Sequence, residues 1–206
     1  MAGGIGLPAG CAPARHRLAG DEAIKARDFF AAAVVPSFPI EATYSGIAEV
    51  AGRSLPFVAG VNSRGPSEET VGVYDPLGRA LLFVSNDGTQ VTVLRGPAAS
   101  DFPSLRNPGW EIPAAGVSLG RILSGAPGYV VDGGDLERTP EGGWVLKDER
   151  QSLFSDPSRR FLSRGEYRFS GKLLIVTYPE RASAKPHPQI RIESVGANIV
   201  LRRDEE

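Results

Sequence analysis

From Ile40 onward, apolar and polar residues alternate in short runs broken by Gly, Pro, Asn and Asp. A period of two bounded by turn residues predicts strands. The first runs fall at roughly 40–51, 54–62, 68–74, 79–85 and 89–95, and five in succession with short connections predict an antiparallel meander. Asn86-Asp87-Gly88 carries the residues of a tight hairpin between the fourth and fifth runs. The alternation also sorts side chains by face. Leu55, Phe57, Ala59 and Val61 share one side of the second run, Val71 and Val73 of the third, Leu82 and Val84 of the fourth, and Val91 and Val93 of the fifth. Leu81 and Phe83 make the fourth run apolar on its other side as well, which predicts cover on both faces.

Helical spacing occurs in two places. Asp21 to Val35 is alanine-rich, opens with acids that suit a helix N-terminus, and stops at Pro36. Its apolar residues, among them Ile24, Phe29, Phe30, Ala31 and Val34, form a broad stripe that needs a partner surface. Between about 99 and 127 the strand pattern lapses, with a short helix expected near Phe102 to Arg106 and another at Val117 to Leu123. In the second, Leu119, Ile122 and Leu123 cluster on one side before Gly125-Ala126-Pro127 ends the helix. Strand-like runs then resume at Tyr129 to Asp132, Leu136 to Arg138, Trp144 to Lys147, and about 150–155, 160–169, 172–179, 189–194 and 198–203. The expectation is a mainly β, α+β chain of about ten or eleven strands with helices laid on the sheet. A leader at 1–18, one domain at 19–203 and a tail at 204–206 complete the layout.

Composition narrows the function classes. A chain of 206 residues is long enough to bury a core of its own. A hydrophobic fraction of 41%, a charged fraction of 23% and a net charge of -1 argue against a disordered chain and against a basic nucleic-acid binder. Gly 25 and Pro 17 make about a fifth of the chain, in keeping with many turns.

Candidate chemistry is sparse. Two histidines, His16 and His187, and one cysteine, Cys11, offer no His/Cys cluster for zinc, so no metal and no cofactor is expected. His187 lies in the polar turn Lys185-Pro186-His187-Pro188, and no Gly-x-Ser-x-Gly elbow presents a nucleophile to it. No phosphate-binding glycine loop precedes a helix. The carboxylate pairs Glu68-Glu69 and Asp148-Glu149 read as solvated strand ends, since an acid/base pair needs two carboxyls converging in a cleft. No catalytic residue is assigned, and a hydrolase is the least favoured reading.

No apolar stretch is long enough to span a bilayer as a helix. Leu7-Pro8-Ala9-Gly10-Cys11 resembles the end of a bacterial lipoprotein signal, after which the cysteine becomes the acylated N-terminus. On that resemblance Cys11 is the lipidated residue, with Met1 a start inside a longer signal; the alternative is an incidental cysteine in a leader.

The order helix, five strands, helical interruption and about six more strands is also that of the LolA/LolB superfamily. The chain resembles its LolB-like lipoproteins at Tyr44-Ser-Gly-Ile-Ala-Glu-Val50, at Val71-Gly-Val-Tyr-Asp-Pro-Leu-Gly78 with the strand Ala80 to Val84, at Asn86 to Val93, and at Ser118-Leu-Gly-Arg-Ile-Leu-Ser-Gly-Ala-Pro127. The match covers roughly residues 40–130, with Trp144-Val145, Leu173 to Tyr178 and Ile190 to Leu201 following more loosely. The resemblance implies a curved, unclosed antiparallel half-barrel plugged by helices over an apolar cavity. It implies a monomeric lipoprotein on the periplasmic face of the outer membrane, in the inner leaflet. This would take acylated proteins from a soluble LolA-type periplasmic carrier and insert them into the bilayer, with no chemistry and no nucleic acid involved.

The resemblance also suggests residues. In such proteins a leucine in a Pro-Leu-Gly turn protrudes toward the membrane, and the matching residue is Leu77. A turn leucine can equally fold back over the sheet edge. Leu55, Phe57, Val71, Val73, Leu82, Val84, Val91 and Val93 would line an acyl cavity closed by Leu119, Ile122 and Leu123, or would form an ordinary packed core. A related lipoprotein binding some other acyl or lipid ligand, or an envelope assembly partner, is the alternative function.

Overall fold

In a computed structural model, the described residues are 16–50, 52–65, 67–101, 118–126, 133–169, 172–179, 188–194 and 197–204. The alternating runs form long strands: β2 (Ile40–Val50), β3 (Arg53–Gly65), β4 (Glu68–Tyr74), β5 (Ala80–Asn86) and β6 (Val91–Arg95) make an antiparallel meander. The later strands are β7 (Asp135–Arg138), β8 (Trp144–Lys147), β9 (Gln151–Ser155), β10 (Leu162–Phe169), β11 (Lys172–Thr177), β12 (Gln189–Ser194) and β13 (Ala197–Arg203). With β1 (His16–Arg17), thirteen strands join one antiparallel sheet among the described residues, in the order β1-β7-β8-β9-β10-β11-β12-β13-β2-β3-β4-β5-β6. The last strand thus pairs with the first long one, β2, and brings the two halves of the chain together. β1 and β6 are the edges, so the sheet stays unclosed.

This exceeds the ten or eleven strands expected. The additional β1 lies within the span read as a leader, and Leu18 beside it is buried, its N–H donating to Leu136 O at 2.9 Å. At the other end, Asp204 is tied to β2 through its N–H to Thr43 O and its carboxylate to Ser45 Oγ. Two residues of strand give almost no periodicity to read, which is why β1 was not visible in the pattern. The expected helix at 102–106 and strand at 129–132 lie outside the described residues.

Helix α1 (Gly20–Ala33) ends two residues before the expected Val35, where the Val34 and Val35 N–H groups close the last turn. It buries Ala26 and Phe30 against the sheet face that also carries Leu146, Leu153, Tyr167, Val176 and Ile190. At its start Glu22 accepts from Trp144 Nε1 at 3.2 Å and pairs with Arg138 and Arg159. Arg159 also stacks over the Trp144 ring at 4.8 Å. A 3-10 turn, Pro97–Asp101, packs Ala98 and Ala99 onto β5 and buries Leu81 from the outer side. The two-sided cover expected of this strand is therefore partial, because Phe83 remains 37% exposed.

Curvature follows from a short element. Helix α2 (Leu119–Leu123) receives a hydrogen bond from Tyr178, just after β11, on Ile122 O at 2.7 Å, and its Gly120 N–H donates to Glu69 of β4 at 2.8 Å. β11 and β4 are five strand spacings apart in the sheet order. That is about 24 Å in a flat sheet, against a helical rise of about 3 Å between the two bonded residues. The sheet must curl around α2 for both bonds to form.

Candidate functional site

Register places the eight strand residues expected to line a cavity on one inner face. Val61, Val71, Val84 and Val93 are successive cross-strand partners, as are Ala59, Val73 and Leu82. Phe57 and Leu55 continue this face along β3, opposite Gly46 and Ala48, and Val91 lies opposite Asn86. Burial along the face is graded. Under α1 and α2 it is complete, as at Tyr44, Leu153 and Val176, whereas Phe57, Val73, Leu82 and Val84 are only half-buried and Val93 is 57% exposed at the β6 edge. The face is thus a packed core on one side and a shallow, partly covered apolar trough on the other, where Phe57, Val73 and Val84 pack against that core. Ile122 and Leu123 of α2 are buried in the core beside the trough, and the side chain of Leu119 lies outside the described residues.

Glycines let aromatic rings lie on the sheet. A Cβ on Gly46 would stand 2.4 Å from the Phe57 ring, and one on Gly72 would stand 2.7 Å from the Tyr74 hydroxyl. Phe57 therefore covers its cross-strand neighbour's backbone and forms the wall of the trough near β2, which is what a glycine opposite an aromatic ring permits.

The trough ends in polar groups. Ser63 and Glu69 are cross-strand partners on the same inner face. The Glu69 carboxylate accepts from Ser118 Oγ, from Gly120 N at 2.8 Å and from Ser63 Oγ at 3.4 Å. Ser118 also caps α2, its Oγ accepting from Arg121 N at 3.1 Å. Glu69, read from sequence as a solvated strand end, is half-buried and holds the plug helix. Only tertiary contact reveals this, although the N-cap serine three residues before Arg121 was a visible signal. Arg121 donates to Val34 O at the end of α1 at 2.9 Å, and burial lowers its pKa. Burial raises the pKa of the Tyr44 and Tyr178 hydroxyls, so both stay protonated, and that of Tyr178 donates to Ile122 O.

Leu77 occupies the β4–β5 turn and is 81% exposed. It does not fold back, because Asp75 organises the turn around it. The buried Asp75 carboxylate accepts from Leu77 N at 3.0 Å, from Arg79 N at 2.9 Å and from Arg79 Nε at 2.7 Å, while Gly78 takes a positive φ of 78°. Burial alone would raise the Asp75 pKa, but these hydrogen bonds outweigh it and the value is lowered. Arg79 reaches on to Asp101 at 3.1 Å.

A second depression, not expected from sequence, lies between the ends of the β2–β3 and β12–β13 hairpins. It is polar, about 530 Å3, and lined by Glu49, Arg53, Glu193 and Asn198 among others. Cys11 and His187 lie outside the described residues. Among the described residues no helix is long and apolar enough to cross a membrane, and no three His, Cys, Asp or Glu side chains group as metal ligands.

No family model matches the chain, and no curated protein does. Among solved structures the chain is similar to a LolA superfamily protein from Nitrosomonas europaea, at 12% sequence identity and a TM-score of 0.45, with 89% of this chain and 91% of that one covered. It is also similar to a DUF1329 family protein from Desulfovibrio piger, at 14% identity and a TM-score of 0.42, with 90% and 92% covered.

Proposed function

We propose that this protein is an acyl-chain receptor of LolB-like type, which takes the lipid of acylated proteins into the trough formed by Phe57, Val73, Leu82, Val84 and Val93 and passes it to a membrane. The observation that carries this reading is the graded burial of one largely apolar face, which carries Arg95 opposite Leu82 on the β6 edge. Burial of apolar area contributes about 25 cal/mol per Å2, so partly covered valine and leucine side chains in register favour an apolar occupant. Val93, exposed at the β6 edge, offers a chain a point of entry away from the packed core.

Delivery is assigned to the β4–β5 turn. Leu77 is presented by a hydrogen-bonded turn rather than by a loose loop, so it can enter a bilayer interface without loss of sheet structure. One leucine contributes about 1.5–3 kcal/mol when fully buried, enough to perturb a membrane and too little to anchor a protein. Stable attachment at the periplasmic face of the outer membrane is assigned to a lipid on Cys11, consistent with the need for a dedicated anchor. Donor partners are a periplasmic carrier of LolA type and its acylated protein cargo. The reading needs no covalent chemistry and no cofactor.

The test is a transfer assay. A carrier loaded with an acylated protein is mixed with this protein and then with liposomes, and cargo is followed through each stage. Stoichiometric acceptance followed by liposome delivery is expected. Acceptance of free fatty acid or phospholipid but not of acylated protein would replace the reading by that of a periplasmic lipid binder.

A further inference from the structure

We propose that the depression between the β2–β3 and β12–β13 hairpin ends binds a compact zwitterion, with Glu49, Asn198 and Glu193 holding a primary ammonium and Arg53 meeting the anionic group joined to it. The strand register builds this site. Glu49 is the cross-strand partner of Asn198, and Asn198 of Glu193, so the three side chains stand in one row across β2, β13 and β12. Glu49 follows Ala48 of the inner face, which puts the row on the outer face of the sheet, away from the trough. Ser54, opposite Glu49, extends the row to β3, and Arg53 lines the same depression of about 530 Å3.

These groups are unpaired. Among the described residues Glu49, Glu193 and Arg53 enter no ion pair, with one another or with any other side chain. Asn198 Oδ1 is buried with no hydrogen-bond partner, a state that is costly for a carbonyl oxygen. Acceptor oxygens thus stand side by side with no donor supplied to them. Neighbouring side chains in such a row are about 5 Å apart, which one nitrogen spans with hydrogen bonds of about 2.8 Å to either side. An ammonium has three N–H donors and the charge opposite to both carboxylates. Arg53 is the one cation among the described lining residues; it repels a bare amine and attracts an anion, so it selects a zwitterion. β2, β4 and β12 run in the same direction, so the depression and the Leu77 turn lie at one end of the sheet. A lipid headgroup as the source of the zwitterion rests on the delivery role proposed for Leu77; a free small molecule does not.

Titration of the full chain with O-phosphoethanolamine, followed by NMR at the Asn198 side-chain amide, tests the site. Saturable binding is expected, several-fold tighter than that of ethanolamine. O-Phosphocholine pairs the same two kinds of charge but has no ammonium N–H, and should bind about 10-fold more weakly or worse, as hydrogen bonds to charged acceptors are lost. Glu49→Gln and Glu193→Gln should each weaken phosphoethanolamine binding by about 10-fold, and Arg53→Gln should remove its advantage over ethanolamine. Equal binding of phosphocholine and phosphoethanolamine, or no saturable binding to the unaltered protein, would overturn the site. Vesicles identify the source. Binding to phosphatidylethanolamine vesicles but not to phosphatidylcholine vesicles, lost in Glu193→Gln, would assign the site to a headgroup; binding of the soluble zwitterion alone would assign it to a free small molecule. Acceptance of acylated cargo should be unchanged in Glu193→Gln, so failure of this site and failure of the acyl-receptor reading are told apart.

Discussion

The Asp75 carboxylate accepts the backbone N–H of Leu77 at 3.0 Å, so the most exposed leucine of the described chain is positioned by a buried acid two residues before it. The same carboxylate holds Arg79 on the far side of the turn. Asp75→Ala should therefore leave the sheet intact but let the turn collapse and Leu77 fold back. Amide exchange at Leu77 and Arg79 should rise sharply, while β4 and β5 keep their protection.

The same turn should loosen in acid. The folded pKa of Asp75 lies below its ordinary value of 3.8, so its ionised form is favoured by the fold. The contribution is fully present above the unfolded carboxyl's pKa and is lost as pH falls through the lowered folded value. An NMR titration should show Leu77 and Arg79 amides moving below pH 3.8, with the transition absent in Asp75→Asn.

Leu77→Glu separates acceptance from delivery. The side chain is 81% exposed, so its replacement should change stability by no more than about 0.5 kcal/mol. Uptake of acylated cargo should persist and its release into liposomes should fail. Unchanged release would remove Leu77 from the delivery step.

A charge in the trough should block uptake. Val84→Asp puts a carboxylate among Val71, Val93 and Leu82 at a half-buried position. Covering it with an acyl chain would desolvate the charge, and parinaric acid affinity should fall by roughly 10-fold or more. Far-ultraviolet circular dichroism should match that of the unaltered protein.

Two packing contacts can be measured directly. Gly46→Ala drives a methyl group into the Phe57 ring and should cost about 1–3 kcal/mol in urea unfolding, with Phe57→Leu recovering most of it. Tyr178→Phe removes the donor to Ile122 O and should cost about 1–2 kcal/mol.

Local alternation along Leu55 to Val61, Val71 to Val73, Leu82 to Val84 and Val91 to Val93 determined which side chains share a face, because strand side chains alternate whatever the sheet does around them. Asn86-Asp87-Gly88 determined a tight turn for a similar local reason. There Asp87 Oδ1 accepts from Thr89 and Gln90, hydrogen bonds that pull its pKa down to about 2. The apolar cluster of Leu119, Ile122 and Leu123 before Gly125-Ala126-Pro127 marked α2.

Pairing of β13 with β2, the joining of β1 to β7, the curl of the sheet around α2 and the capture of α2 by Glu69 were decided by tertiary structure. Each joins residues far apart in sequence, as Glu69 and Gly120 are, and no local periodicity encodes such a contact. Whether the inner face would be core or trough was decided the same way. Val71 and Val93 carry the same side chain on the same face, yet Val71 is 6% exposed and Val93 57%. What differs is the cover each receives from elsewhere in the chain.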